Sequence, residues 1–195
     1  MLTQKRKAAK KIHSIHVLPN GAGFDGKIEA GGLSHQFSFT PKTAASSNGK
    51  LVLTGVVKAQ APGGRQRVAN DVTATLLATQ GSIIGPPPMP RQFSESLKPP
   101  SPTPSGSLPL TDSTGHLGSV AVMYLRLSAL DGSALGVPAD LSAVQLNARL
   151  YATSEIERDL HWLYSAVVEA TQGEHKNERL AADYLDVINR ILKAN

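Results

Sequence analysis

Histidine is the residue type in this chain with the widest chemical potential, since it can bind metal ions and transfer protons near neutral pH. Of the six histidines, His13 and His16 are close enough in sequence to share a metal ion if their segment is helical. His35 could join them only through the fold, and spacing indicates no third ligand. Because ligand types without a ligand spacing are weak evidence, the sequence predicts no metal site. His161 and His175 lie in a helical region and are predicted on its solvated faces.

Residues 21–26, with the sequence GAGFDG, match the G-x-G-x-x-G pattern of dinucleotide-binding proteins. That pattern requires a strand before it and a helix after it, so that helix amides meet the pyrophosphate. Here Pro19-Asn20 precedes the run, and no helical pattern follows. The run is therefore predicted to be a loop, and no cofactor is predicted.

No nucleophile of a known catalytic signature is evident. There is no cysteine, which excludes thiol nucleophiles and thiolate metal sites, and there is no G-x-S-x-G run. Serine and histidine are numerous enough to leave a scattered triad open. Asp25, Glu29 and Asp71 could act as paired carboxylates, but all lie in or beside predicted strands and turns, where solvated acids are common. The sequence favours a non-enzymatic protein.

The net charge is unevenly distributed. The formal net charge is +5 at pH 7, and the first eleven residues alone carry the same excess, since they contain no acid. Their basic residues are Lys5, Arg6, Lys7, Lys10 and Lys11. Such a cluster could bind an anionic partner, including nucleic acid, in a salt-sensitive and non-specific way. Residues 1–20 are predicted to be a flexible basic tail.

Strands are predicted on both sides of a proline-rich run, because apolar and polar residues alternate with a period of two. The segments are 33–40, 51–60, 67–79, 119–130 and 142–152. Pro41 is predicted to end the first of them, and Asn48-Gly49 to form a turn, because both residues accept positive φ. Ala61-Pro62-Gly63-Gly64 is a second turn signal, so 51–79 is the clearest predicted hairpin.

Residues 85–110 contain most of the thirteen prolines. This composition is typical of a linker or a polyproline II ligand. Because each β half has too few strands to be stable alone, residues 85–110 are predicted to be an excursion within one β domain, 21–153. The predicted fold class is α+β: a mainly antiparallel β-sandwich or small barrel with a C-terminal helical hairpin, 154–195.

The hairpin begins at Ser154-Glu155-Ile156-Glu157, which fits a capping box. The apolar residues of the second helix cover an arc of about 160°, wider than the roughly 100° stripe of a helix packed on one side. Trp162 lies off the apolar stripe of the first helix and is either an interface anchor or part of the core. The residues predicted to contact a protein partner are Trp162, Tyr184, Leu185, Ile188 and Leu192.

The leading functional hypothesis is therefore a structural or interaction subunit whose C-terminal helices associate with a second copy or a larger assembly. One alternative is a ligand-binding or enzymatic barrel with residues 85–110 as a lid. Another is an anionic-polymer binder acting through the basic tail. No apolar run approaches the roughly 18 residues that span a membrane. If Met1 is the native start, a cytoplasmic location is the simplest expectation, because no secretory signal follows it.

Overall fold

The computed structural model describes residues 9–80, 121–150, 154–174 and 176–195. The predicted proline-rich excursion 85–110 lies outside the described residues, as do Lys5, Arg6, Lys7 and His175. The described residues form nine strands and two helices. In chain order they are β1 (Lys10–Lys11), β2 (Ser14–Asn20), β3 (Gly23–Ala30), β4 (Leu33–Ser47), β5 (Lys50–Gln60), β6 (Arg67–Gln80), β7 (Ala121–Leu127), β8 (Ala139–Asp140), β9 (Gln145–Leu150), α1 (Glu155–Gln172) and α2 (Glu178–Ala194).

Seven strands close into a barrel in the order β2-β3-β4-β5-β6-β7-β9. Every neighbouring pair is antiparallel except β9 and β2, which close the barrel in parallel. β1 and β8 form a separate two-stranded parallel sheet. A small barrel followed by two helices is therefore confirmed, while the predicted antiparallel arrangement holds for all but the closing pair and the β1–β8 sheet.

Alternation along the strands fills the barrel with aliphatic and aromatic side chains. Phe39, Leu53, Leu125 and Leu146 are fully buried and belong to one core cluster. Their strand neighbours lie on the outer face, as the period-two pattern requires. The same cluster includes residues of both helices, so the barrel and the helices share one core.

The prediction of a flexible tail over residues 1–20 does not hold for Lys10–Lys11, which form β1, or for Ser14–Asn20, which form β2. Ile15 and Val17 are buried in the barrel, and β2 pairs with both β3 and β9. Ser14 to Val17 alternate between exposed polar and buried apolar residues, but the exposed Leu18 and then Pro19 interrupt the polar–apolar pattern. The closing partner of the segment lies far along the chain. Long-range pairing therefore decides its structure.

Pro41 does not end the strand in which it lies, contrary to the prediction. β4 continues through it to Ser47, and the pairing with β5 shifts by one residue between Pro41 and Thr43. Lys42 is the extra residue of this β-bulge. A bulge keeps both halves of a strand paired while changing the direction of side chains at the irregularity. The predicted turn beyond it is confirmed, with φ of 51° at Asn48 and 71° at Gly49.

The two helices form the predicted hairpin, and α1 begins with the predicted capping box. The Ser154 side chain accepts a hydrogen bond from Glu157 N, and the Glu157 carboxylate accepts one from Ser154 N. At its other end, Gln172 Nε2 donates to Gly49 O in the β4–β5 turn. Helix α1 therefore extends from the β2–β3 turn, which Glu157 also contacts, to the β4–β5 turn, at one end of the barrel.

Helix α2 lies along the part of β4 that extends beyond β3. The β3–β4 pairing stops at Phe24 and Phe39, so later residues of β4 have no strand on that side. Asn189 of α2 satisfies both backbone groups of Ala44: Ala44 N donates to its Oδ1 at 2.8 Å, and its Nδ2 donates to Ala44 O at 2.9 Å. The Asn189 side chain thus replaces a neighbouring strand and fixes α2 on the barrel. Neither helix has the length and apolarity to cross a membrane.

Candidate functional site

A groove of about 410 Å³ lies on the outer face of β3, β4 and β5, where the barrel meets both the β2–β3 turn and the end of α2. We call it the outer groove. Its polar lining residues are Asn20, Asp25, Ser38, Thr40, Lys42, Lys58, Gln66 and Asn195. Leu192 and Pro41 contribute apolar surface. Clefts of this size commonly hold small molecules.

Three of the lining side chains form one row across the sheet. Asp25 of β3 is paired with Ser38 of β4, and Ser38 is paired with Lys58 of β5. Directly opposite residues share a face of the sheet and lie about 5 Å apart. The row therefore places a carboxylate, a hydroxyl and an ammonium group side by side, with the hydroxyl in the centre.

Lys42 lines the groove beyond this row, toward the helices. At about 3.3 Å per residue, it lies about 13 Å along β4 from Ser38. It follows Ser38 and Thr40 on the outer face in the alternation of β4, and the bulge leaves it without a partner in β5. Thr40 lies between the two lysines, on the same outer face as Ser38.

The two lysines supply positive charge that no described residue neutralises. Within residues 9–80, 121–150, 154–174 and 176–195, neither Lys42 nor Lys58 makes an ion pair. The acid of the row, Asp25, accepts a hydrogen bond from Asn20 Nδ2 at 2.6 Å through its Oδ2 atom. Lys58 is half-buried, so part of its side chain packs on the outer face of the sheet while the ammonium group can stay in contact with water.

Gly23 keeps the floor of the groove open beside Thr40. A Cβ atom at Gly23 would lie 3.0 Å from Phe39 O and 3.4 Å from Thr40 Oγ1. In the alternation of β3, this position faces outward like Asp25, while Phe24 between them faces the core. A larger side chain here would occupy groove volume.

Both helices help to build the walls of the groove. Gly21 N of the β2–β3 turn donates to Glu157 Oε1 at 3.0 Å, which attaches the turn to the first turn of α1. Leu192 and Asn195 of α2 close the other side. The Asn195 side-chain amide donates to Ile191 O at 2.9 Å, so that group is already engaged within the chain. The groove therefore depends on the docking of the helical hairpin.

A second polar cluster is buried beneath α1. His161 is 2% exposed, so its predicted position on a solvated helix face is wrong. Its ring stacks on Phe24 at 6.2 Å and lies 6.4 Å from the Tyr164 ring. Burial lowers the pKa of His161 to about 4, although the nearby Glu157 carboxylate acts in the opposite direction. Burial also raises the pKa of Tyr164, whose hydroxyl has no partner among the described residues.

The residues predicted to contact a partner are mostly covered by the chain itself. Tyr184, Ile188 and Leu192 are buried in the shared core. Trp162 and Leu185 are half-buried, and the Trp162 ring packs edge-on against Tyr184 at 5.6 Å. The wide apolar arc of α2 is thus occupied by α1 on one side and β4 on the other. Docking through these residues remains a prediction.

The other sequence-derived candidates do not converge. His16 is exposed on β2, His13 is exposed just before it, and His35 is buried on β4 near Ala30 O. The described residues contain no cluster of three metal-ligating side chains. Residues 21–26 lie in the hairpin that joins two antiparallel strands, not between a strand and a helix. Lys10 and Lys11 are exposed on β1.

Comparisons of the chain with protein-family models, with curated proteins and with solved structures found no significant match.

Proposed function

We propose that the protein binds a small anionic ligand in the outer groove. The observation that carries this proposal is the pair Lys42 and Lys58, which line one groove without an ion-pair partner among the described residues. Among the lining side chains the one acid is Asp25, on the far side of Ser38 from Lys58. The lining side chains are therefore net positive by one charge and complementary to an anion.

The hydroxyl groups of Ser38 and Thr40 strengthen this proposal. Each can donate a hydrogen bond to an oxygen of the ligand while the lysines supply charge. Hydrogen bonds that involve an ionised group are about twice as strong as neutral ones. An anion placed over Thr40 would be within reach of both lysine side chains, which are long and flexible.

The interaction function predicted from the sequence has weaker support. It depended on an apolar arc of α2 that exceeded what the hairpin could bury, and that arc packs against α1 and β4. Ligand binding on the outer face of the barrel is the function that the described geometry supports best.

Backbone NMR spectra recorded during a titration with inorganic phosphate test this proposal. We expect saturable shifts for amides of Ser38–Lys42 and for Lys58, and loss of these shifts in the Lys42→Gln/Lys58→Gln double variant. The matched control is Lys27→Gln, because Lys27 is an exposed lysine of β3 that does not line the groove. Shifts that do not saturate, or that survive in the double variant, would overturn the proposal.

A further inference from the structure

We infer that the outer groove takes a phosphate monoester of a small hydroxylated molecule, such as a sugar or polyol phosphate. This inference rests on the proposed anion binding and specifies the class of ligand. Four properties of the groove support it: the charge around Thr40, the types of donor, the free oxygen of Asp25 and the volume.

The charge around Thr40 matches a phosphate monoester. Lys42 and Lys58 carry two positive charges there, whereas the one acidic side chain of the lining, Asp25, lies beyond Ser38 on β3. A phosphate monoester carries about −1.5 to −2 near pH 7. A single carboxylate would leave one lysine without a partner. Two lysines on either side of Thr40 therefore favour the ligand group with the larger charge.

The types of donor favour a tetrahedral group over a planar one. The groove lining contains lysine and no arginine. Lysine acts as a point charge and pairs with either group, so the number of donors decides between them. The Thr40 and Ser38 hydroxyls can rotate toward further oxygens. A phosphate has three terminal oxygens and can use all of these donors at once.

Asp25 supplies the reason for a hydroxylated ligand. Its Oδ2 atom accepts the hydrogen bond from Asn20, and its Oδ1 atom has no partner within the described part of the chain. A carboxylate oxygen repels a phosphate but accepts a hydrogen bond from a hydroxyl group. Asp25 therefore orients the ligand with its phosphate toward Lys42 and a hydroxyl toward β3.

The volume of the groove also exceeds what a phosphate ion needs. The groove measures about 410 Å³, within the roughly 300–1,000 Å³ of clefts that hold small molecules. A phosphate group over Thr40 would leave room for the rest of the ligand. That remainder would lie beside Ala22 of the β2–β3 turn.

Isothermal titration calorimetry with a defined panel tests the inference. The panel consists of inorganic phosphate, succinate, three phosphorylated polyols (glycerol 3-phosphate, ribose 5-phosphate and glucose 6-phosphate) and the corresponding unphosphorylated compounds. We expect at least one phosphorylated polyol to bind about 10-fold to 100-fold more tightly than inorganic phosphate. This ratio corresponds to one hydrogen bond to a charged group, about 1.5–3 kcal/mol. Succinate and the unphosphorylated compounds should bind more weakly than inorganic phosphate.

Two variants separate this inference from the proposed function. Asp25→Asn should abolish most of the preference for the phosphorylated polyol while leaving inorganic phosphate bound equally or more tightly. Lys58→Gln should weaken both ligands about 10-fold or more, and Lys27→Gln should weaken neither. Binding of inorganic phosphate without preference for any phosphorylated polyol, or equal binding of succinate, overturns the inference and leaves anion binding intact. No binding of any anion in the panel overturns both.

Discussion

Lowering the pH should destabilise the protein through His161. The ring lies beneath α1, stacked on Phe24, and burial lowers its pKa from 6.5 to about 4. The native state therefore holds His161 neutral at pH values where the unfolded chain protonates it. The stability linked to this residue is fully present above about pH 6.5 and is lost as the pH falls toward 4.

The size of the effect follows from the shift. One pKa unit corresponds to about 1.36 kcal/mol, so a shift from 6.5 to about 4 lowers the free energy of unfolding by about 3 kcal/mol over that range. For a domain with total stability of roughly 5–15 kcal/mol, this is a large fraction. The pKa of about 4 already contains the opposing effect of the nearby Glu157 carboxylate, which favours the protonated ring.

Urea unfolding of the native protein and of His161→Phe, measured from pH 7.5 to 4, isolates this contribution. The phenylalanine ring keeps a flat side chain against Phe24 but does not titrate. We expect the stability of His161→Phe relative to the native protein to increase by about 3 kcal/mol as the pH falls. His16→Gln, at an exposed position, should follow the native curve. Parallel curves for His161→Phe and the native protein would refute the burial argument.

Three other substitutions test the packing of the helices by chemical unfolding. Tyr164→Phe removes a buried hydroxyl with no partner among the described residues. It should leave the stability unchanged or raise it by about 1 kcal/mol, because the desolvation cost disappears. A loss of stability would show that the hydroxyl is hydrogen-bonded. Asn189→Ala leaves both backbone groups of Ala44 without their partner and should cost about 2–3 kcal/mol, whereas a neutral result would mean that α2 is held by apolar contacts alone. Ser154→Ala should cost about 1 kcal/mol through loss of the α1 cap, and Ser154→Asp should restore most of it.

The hairpin of β5 and β6 and the start of α1 could be predicted from the sequence because their signals are local. Alternating side chains and the turn at Ala61–Gly64, where Gly64 N donates to Ala61 O at 2.9 Å, define the hairpin. Ser154 and Glu157 define the cap within a few residues. The barrel closure could not be predicted in this way. It joins β2 to β9 in parallel, and no short-range pattern specifies a pair so far apart in sequence.

The outer groove was missed because its row depends on registers that the bulge changes. Counting back from the Asn48-Gly49 turn without a bulge would pair Ser38 with Ala59. The extra residue Lys42 instead pairs Ser38 with Lys58, so that two outward-facing residues lie side by side. The alternation in β5 turns Lys58 outward and Ala59 inward, whereas the register without a bulge pairs the outward-facing Ser38 with Ala59. This disagreement between alternation and register was the available signal for a bulge near Pro41.

His161 was misplaced for a related reason. The apolar stripe of α1 predicts a narrow buried face that excludes His161. The helix instead lies across the end of the barrel and buries a wider set of residues, including His161 and Tyr164. A polar residue next to an apolar stripe gives no sign of this, because the extent of burial is set by the neighbouring elements.

A crystal structure of the protein with a bound phosphorylated polyol, chosen as the tightest ligand in the calorimetric panel, tests the central claim most directly. We predict the phosphate over Thr40, within hydrogen-bond distance of Lys42 Nζ and Lys58 Nζ, and a ligand hydroxyl donating to Asp25. A ligand located away from the outer groove, for example beside the exposed His13 and His16, would contradict the account. So would a phosphate in the groove that contacts neither lysine.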